Sequence, residues 1–239
     1  MRSVKLTEQD ILDVSTVQTF PLGELGTGAD GKEYRYAKYG ATVTPGVTLS
    51  AAPNVANHLD RAPGADVAVG ADTITVVLGA TAVAQDAYAG GTLLVTDGSG
   101  EGQQFRIKGN TAAGSGGTTT VKIYGKVATA LVASADSTVS LYPNKFNGVT
   151  VDTTVALRRV GVSTVGGASG SYAWVQVKGA AGVLISGATT AIADPVIPIV
   201  TVAGAVGGIG TVAATDQIIG IALEAGVDTE YHLVDLCIE

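Results

Sequence analysis

The sequence predicts an all-β fold, and three observations carry that prediction. The first is the kind of apolar residue. Hydrophobic residues make up 46% of the 239 residues, yet there are only three Phe and one Trp among them. Ala and Val supply most of the rest, beside abundant Thr. Val and Thr are stiff at χ1 and pack well on a pleated surface. The second observation is 33 Gly, which supply tight turns and bulges. The third is rhythm: short alternating apolar runs recur between turn-forming clusters. Long amphipathic helices need more Leu, Glu, Lys and Arg than this chain carries. The expected architecture is two small β-sandwich- or barrel-like regions with an extended N-terminal arm.

Residues 1–33 read as the arm. Thr7 with Asp10 three positions later forms the capping signal of a short helix through Ile11, Leu12 and Val14. The following FPLGELGTGADGKE contains Pro21, four Gly and an Asp30-Gly31 turn signal, and reads as loop or extended chain. Leu6, Ile11, Leu12, Val17, Phe20 and Leu22 are too apolar for a solvating tail, which favours an arm ordered by a partner.

Residues 34–65 begin with YRYAKY, the densest aromatic cluster in the chain. Alternation puts Tyr34 and Tyr36 on one face of a strand and Arg35 on the other. Tyr and Arg are favoured at the centres of interfaces. The same pattern also describes a partly buried strand. Three Pro between residues 42 and 65 mark a traversing connection.

Residues 66–145 form the middle β domain. DTITVVL (72–78), TLLVT (92–96), QQFRIK (103–108), TTTVKI (118–123) and TVSLY (138–142) are its strands. Residues 146–239 form the C-terminal β domain, with strand segments in VTVDTTVALRRVGVST, SYAWVQVKG, GVLISG, PVIPIVTVAG, QIIGIALEAG and EYHLVDLCIE. In the second of these, Tyr172, Trp174, Gln176 and Lys178 share one face, with Ala173, Val175 and Val177 on the other. The uncharged run Val196–Ala214 approaches spanning length. Pro198, four Gly and many β-branched residues make two buried strands with a Gly-rich turn the better reading, so no membrane span is expected. Asp72-Thr73 and Asp152-Thr153 each open a strand, a match too short to establish a repeat.

Several function classes are disfavoured. A net charge of −7 with few Lys and Arg lacks the electrostatic footprint of a nucleic-acid binder. One Cys excludes an intrachain disulfide and a Cys-rich metal site. The N-terminus turns acidic before any apolar core, unlike a secretory signal. Gly167-Ala168-Ser169-Gly170-Ser171 lacks the last Gly of a nucleophile elbow. His58 is expected at the surface and Cys237 as a small buried residue, so neither they nor His232 signal a catalytic dyad. GTGADGKEYRY resembles part of a calcium loop, but Gly26 and Gly28 stand at ligand positions and Ala37 where the bidentate Glu belongs. Asp97, Glu101 and Asp136 read as solvated turn residues. No enzyme, cofactor or metal is expected.

Three segments carry a resemblance: FPLGELGTGADGKEYRYAKYGATVTPG, AYAGGTLLVTDGSGEGQQFRIKGN, and VGVSTVGGASGSYAWVQVKGAAGVLISG followed by QIIGIALEAG. Together they span residues 18–239 and are similar to the decoration, or cement, proteins of tailed-bacteriophage capsids. The shared motifs are structural and bring no active-site residues. The resemblance implies a virion protein, made in the host cytoplasm, on the outer capsid surface. It implies a homotrimer bound to the phage major capsid protein, with residues 1 to about 40 touching capsid or a neighbouring subunit. The residues expected at that interface are Phe20, Leu22, Tyr34, Arg35, Tyr36, Lys38 and Tyr39. An alternative of a different class is a carbohydrate- or receptor-binding module of a phage fibre or spike, with Tyr172 and Trp174 stacking on a sugar ring.

Overall fold

The computed structural model describes residues 3–133, 136–151, 157–187, 190–199, 201–209 and 217–239. It is nearly all β. In chain order the elements are β1 (Val4–Lys5), α1 (Glu8–Leu12), β2 (Leu25–Thr27), β3 (Glu33–Tyr39) and β4 (Thr48–Ser50). A 3₁₀ turn at Ala56–His58 precedes β5 (Thr73–Val77), β6 (Thr92–Asp97), β7 (Gln104–Asn110), β8 (Thr118–Ile123) and β9 (Thr138–Tyr142). Then come β10 (Asn147–Val149), β11 (Arg159–Ser163), β12 (Tyr172–Leu184), β13 (Pro195–Pro198), β14 (Val206–Gly208), β15 (Gly220–Ala222) and β16 (Tyr231–Cys237).

The chain divides into two units, one of residues 1–52 and 145–239, the other of residues 53–144. In chain order, the second interrupts the first. YRYAKY and β4 therefore belong with the C-terminal strands, and the Pro-rich connection is split between units at residue 52.

Residues 53–144 form a five-stranded sheet in the order β5-β8-β7-β6-β9. Its two edges do not stay open. Arg61 bridges Val139 of β9 and Pro63 bridges Val76 of β5, so the segment between them closes the sheet into a barrel. Closure removes the unpaired backbone groups that an edge strand presents. Ile74, Val76, Leu93, Ile107, Val121, Val139 and Leu141 fill the interior. Alternation in the sequence put these side chains on one face, as in β8, where Thr119, Val121 and Ile123 are buried and Lys122 is exposed.

The first unit is an 11-stranded sheet that closes twice. In one circuit β3 pairs β12, β12 pairs β11 and β11 pairs β4. The Ser50–Thr150 bridge and the parallel β10–β3 pair return to the start. Tyr39, Leu49, Val149, Val160 and Val175 lie within it. In the other circuit β12, β16, β15, β13 and β14 pair in turn, and Val206 bridges back to Ile185 just after β12. Val183, Ile185, Val196, Ile219, Val234 and Leu236 are its core. Strand β12 serves both. SYAWVQVKG and GVLISG, expected as separate strands, are therefore one strand of 13 residues. The Gly between them bends it instead of ending it. Gly179 has φ +87°, and the Gln176 amide donates to the carbonyls of Lys178, Gly179 and Ala180 at 3.1–3.2 Å. That side chain satisfies the carbonyls the bulge takes out of the ladder.

One connection recurs. A strand ends, the chain makes a backbone bridge to a second copy of the same connection, turns tightly and enters the next strand. The bridges pair Val43 with Gly167, Val67 with Leu131, Val83 with Ala113 and Thr190 with Gly226. In each copy whose turn is described, the residue three positions later has positive φ: Gly46, Gly70, Asp86, Gly116, Gly170, Ala193 and Thr229. Its amide donates to the strand end ahead of the partner copy. Gly46 donates to Ser163 O and Gly170 to Tyr39 O, both at 2.8 Å, the reciprocity a local two-fold requires. Asp152-Thr153, half of the short sequence match with Asp72-Thr73, lies outside the described residues. The repeat that the structure holds is carried by backbone conformation, not by sequence identity.

The N-terminal arm, expected to be ordered by a partner, is ordered by the chain itself. Thr7 and Asp10 form the capping box, the Thr7 amide donating to Asp10 Oδ2 at 2.8 Å and the Asp10 amide to Thr7 Oγ1 at 3.2 Å. However, β1 and β2 join the sheet edge beside β3, and Leu6 and Ile11 are buried against Tyr34, Tyr36 and Trp174. Of the apolar residues that argued against a solvated tail, Leu6 and Ile11 are buried and Phe20 and Leu22 half-buried against the chain's own body, whereas Leu12 and Val17 are exposed. The close approach explains Gly26: a Cβ there would stand 2.4 Å from Leu6 Cδ1. The run that approached spanning length holds β13 and β14, paired antiparallel, while residues 210–214 lie outside the described part. Among the described residues, no helix is long and apolar enough to cross a membrane.

Candidate functional site

The residues expected at an interface sit on β3 and the segment before it, and the structure sends them to different places. Tyr34 and Tyr36 face the N-terminal segment and are 3% and 2% exposed; Tyr39 faces the barrel interior and is fully buried. Both faces of β3 are covered, so aromatic alternation fed two cores rather than one surface. Burial, with the charges of Asp30 and Glu8 adding to it, pushes the Tyr34 hydroxyl up to about 12. Burial also raises Tyr39, whose hydroxyl donates to Val165 O at 2.9 Å. Leu22 is partly buried between the same two cores. Arg35 is held by Glu239, its Nε 2.6 Å from Oε2, and its Nη1 donates to Gly23 O at 3.1 Å. Lys38 lies over the Tyr172 ring at 5.6 Å. Phe20 packs edge-on to Tyr36 at 5.4 Å and beside Trp174 at 5.2 Å. A surface role for the three tyrosines is thus corrected, while Phe20, Arg35 and Lys38 retain accessible surface.

These aromatics form the floor of a cleft of about 560 Å³. Phe20, Tyr36, Tyr172 and Trp174 line the bottom; Asp10, Asp13, Ser15 and Thr19 supply the polar rim. The cleft exists because the chain after α1 is pinned across the start of β12, Ser15 and Tyr172 exchanging backbone hydrogen bonds of 3.0 and 2.8 Å. Thr164 Oγ1 ties the helix down by donating to Ile11 O at 3.0 Å. The Thr7 hydroxyl and amide hold the Asp10 carboxyl below its ordinary value. Sequence alternation located Tyr172 and Trp174 on one face, but the contribution of α1 needed the fold.

A second surface is apolar and, among the described residues, uncovered. On β16, Tyr231 and Leu233 are 55% and 47% exposed, and beside them Ile221 and Leu223 are each 42% exposed. Register puts all four on one face: Ile221 is opposite Asp235, and the Leu223 amide bonds to Leu233 O. The neighbouring strand offers Gly182 opposite Leu233 and Ala180 opposite Asp235, too small to cover them. A Cβ at Gly182 would meet open space. Nothing in the sequence marked this face, because alternation reports two faces without saying which one a neighbour covers.

His232 and Cys237 fall on opposite faces of β16, and His58 belongs to the other unit. His58, expected at the surface, is 2% exposed, with Nε2 2.9 Å from Thr81 O and Nδ1 2.6 Å from the Tyr88 hydroxyl. A carbonyl only accepts, so Nε2 carries the proton toward Thr81 and Nδ1 accepts from Tyr88. Burial pushes that hydroxyl up to about 12. Cys237, expected to be buried, is exposed, because it falls on the open face of β16. His232, five residues earlier on the same strand, falls on the other face and accepts from the Val227 amide at 2.9 Å. Asp136 Oδ2 accepts from the Ser99 amide and Asp97 Oδ1 from the Gly98 amide, both at 2.9 Å. Among the described residues, no group of three or more His, Cys, Asp or Glu is placed to hold a metal ion.

The chain matches no family model, no curated protein and no solved structure.

Proposed function

We propose that this chain is a non-enzymatic structural protein of a tailed-phage virion, which binds the outer surface of the capsid and stabilises it. The observation that carries the reading is the uncovered face of Ile221, Leu223, Tyr231 and Leu233. A contiguous apolar patch on a well-packed β body marks a surface that is buried on assembly. The occupant we assign to it is a second copy of the chain, arranged in a trimer about a three-fold axis, with the major capsid protein bound elsewhere on the surface. The closed barrels suit such a role. They lose little conformational freedom on docking and leave few strand edges for unwanted pairing.

A protein that binds the assembled shell and not its dissociated parts stabilises the shell by mass action. A trimer presents three contacts at once, so each needs only modest affinity. The test is co-sedimentation of the purified chain with tailed-phage heads stripped of their own decoration protein, followed by heating the heads. Saturable binding and a higher temperature of DNA release are expected. A chain that stays in the supernatant at saturating head concentration contradicts the proposal.

A further inference from the structure

The cleft beneath α1 has a chemistry of its own. Its floor is aromatic, its rim is made of carboxylates and hydroxyls, and among the described residues no Lys or Arg lines it. That composition disfavours anions: a phosphate or carboxylate would meet Asp10 and Asp13, and Lys38, over the Tyr172 ring, is not among the lining residues. It also disfavours a wholly apolar ligand, whose binding would desolvate the rim carboxylates without compensation. The floor further restricts shape. Tyr36 and Trp174 are 2% and 3% exposed, packed against each other and Phe20 at 5.1–5.4 Å. The half-buried ring of Phe20, and what the stacked Tyr36 ring at 6.0 Å and Lys38 at 5.6 Å leave open of the half-buried Tyr172 ring, are the accessible aromatic surface. A quaternary ammonium needs open ring faces on several sides, whereas a flat ligand needs one or two.

The rim supplies matching acceptors. Asp13 Oδ1 accepts from the Gln9 side chain at 2.7 Å, and Oδ2 has no partner among the described residues. The Thr19 hydroxyl lies 2.8 Å from that of Tyr36, a pair able to exchange donor and acceptor roles with a ligand. The volume falls within the range of about 300–1,000 Å³ typical of small-molecule sites.

We infer that this cleft binds a neutral saccharide of one or two rings. One sugar face lies against Tyr172 and Phe20, and vicinal hydroxyls donate to Asp13 and Asp10. The inference does not depend on capsid binding, and is read on the isolated chain, so either can fail alone.

The test uses the chain's single Trp, which is at the cleft floor. Trp fluorescence of the intact chain is titrated with neutral mono- and disaccharides (glucose, galactose, N-acetylglucosamine, maltose and lactose), with choline as a cationic control. A saturable shift with at least one sugar is expected, at a dissociation constant on the order of 1 mM. Asp13→Asn, a surface change outside the capping box, should weaken that binding about fivefold, and Tyr172→Leu about tenfold or more. Tyr124→Leu, an exposed ring in the other unit, should leave it unchanged. No saturable response to any sugar overturns the inference. So does a response to choline alone, or sugar binding that survives intact in both Asp13→Asn and Tyr172→Leu.

Discussion

At Thr229 a β-branched residue occupies φ +68°, the position at which four other copies of the recurring connection carry Gly. Left-handed backbone costs an L residue roughly 1–2 kcal/mol, and more when the Cβ is branched. Replacing Thr229 with Gly relieves that strain against a smaller loss from the freer unfolded chain. Thr229→Gly should therefore stabilise the protein by up to about 1 kcal/mol, seen as a higher urea midpoint at unchanged slope. A lower midpoint would mean that the turn is not strained. Gly46 is the opposite case. With φ +71°, and with the Tyr231 ring 2.6 Å from a Cβ built there, Gly46→Ala should cost more than Gly70→Ala, whose Cβ meets open space.

Glu239 adds a pH dependence. Burial raises its carboxyl, but hydrogen bonds and charge from Lys145 and Arg35 outweigh it and hold the group below its ordinary 4.5. A lowered folded value means stability that is complete above the unfolded value and lost as pH falls through the folded one. The melting temperature of the wild type should exceed that of Glu239→Gln at pH 7, and the gap should close below pH 4.5. A gap constant down to pH 3 would show that the ionised carboxylate is not what stabilises the fold there.

At the scale of elements, truncation separates an arm from a cover. Residues 1–33 include β1, α1 and β2, and bury Leu6 and Ile11 over Tyr34 and Trp174. Removing them strips at least two apolar side chains from the core, at roughly 1.5–3 kcal/mol each. It also leaves β3 without its β2 neighbour. Truncation should lower the melting temperature markedly. A truncated chain that melts with the intact one would restore the arm ordered by a partner. The strands themselves were legible: TTTVKI and TVSLY coincide with β8 and β9, because a half-buried strand writes its period into Thr, Val and Lys. The capping box was legible for the same local reason. Register, closure and the passage of β12 between two barrels were not, since they depend on residues far apart, such as Ser50 with Thr150 and Ile185 with Val206. The recurring connection stayed hidden because Gly, Asp, Ala and Thr all fill its positive-φ position.

Across the whole molecule, the Ala/Val/Thr/Gly composition pointed to a packed β body, and the acidic charge pointed away from nucleic acid. The two surfaces that matter were not readable. The cleft needs α1 folded over β12, and the apolar face needs to be known as the side no element covers. Asp235, opposite Ile221 and two residues from Leu233, sets one carboxylate into that face. Sedimentation velocity tests the assembly role most directly, run on the wild type and on a Tyr231→Ser, Leu233→Ser double variant. The wild type should sediment at three times the 23.8 kDa chain mass, and the double variant as a folded monomer. A wild type that is monomeric across the concentration range, or a double variant that remains trimeric, would contradict assembly through this face.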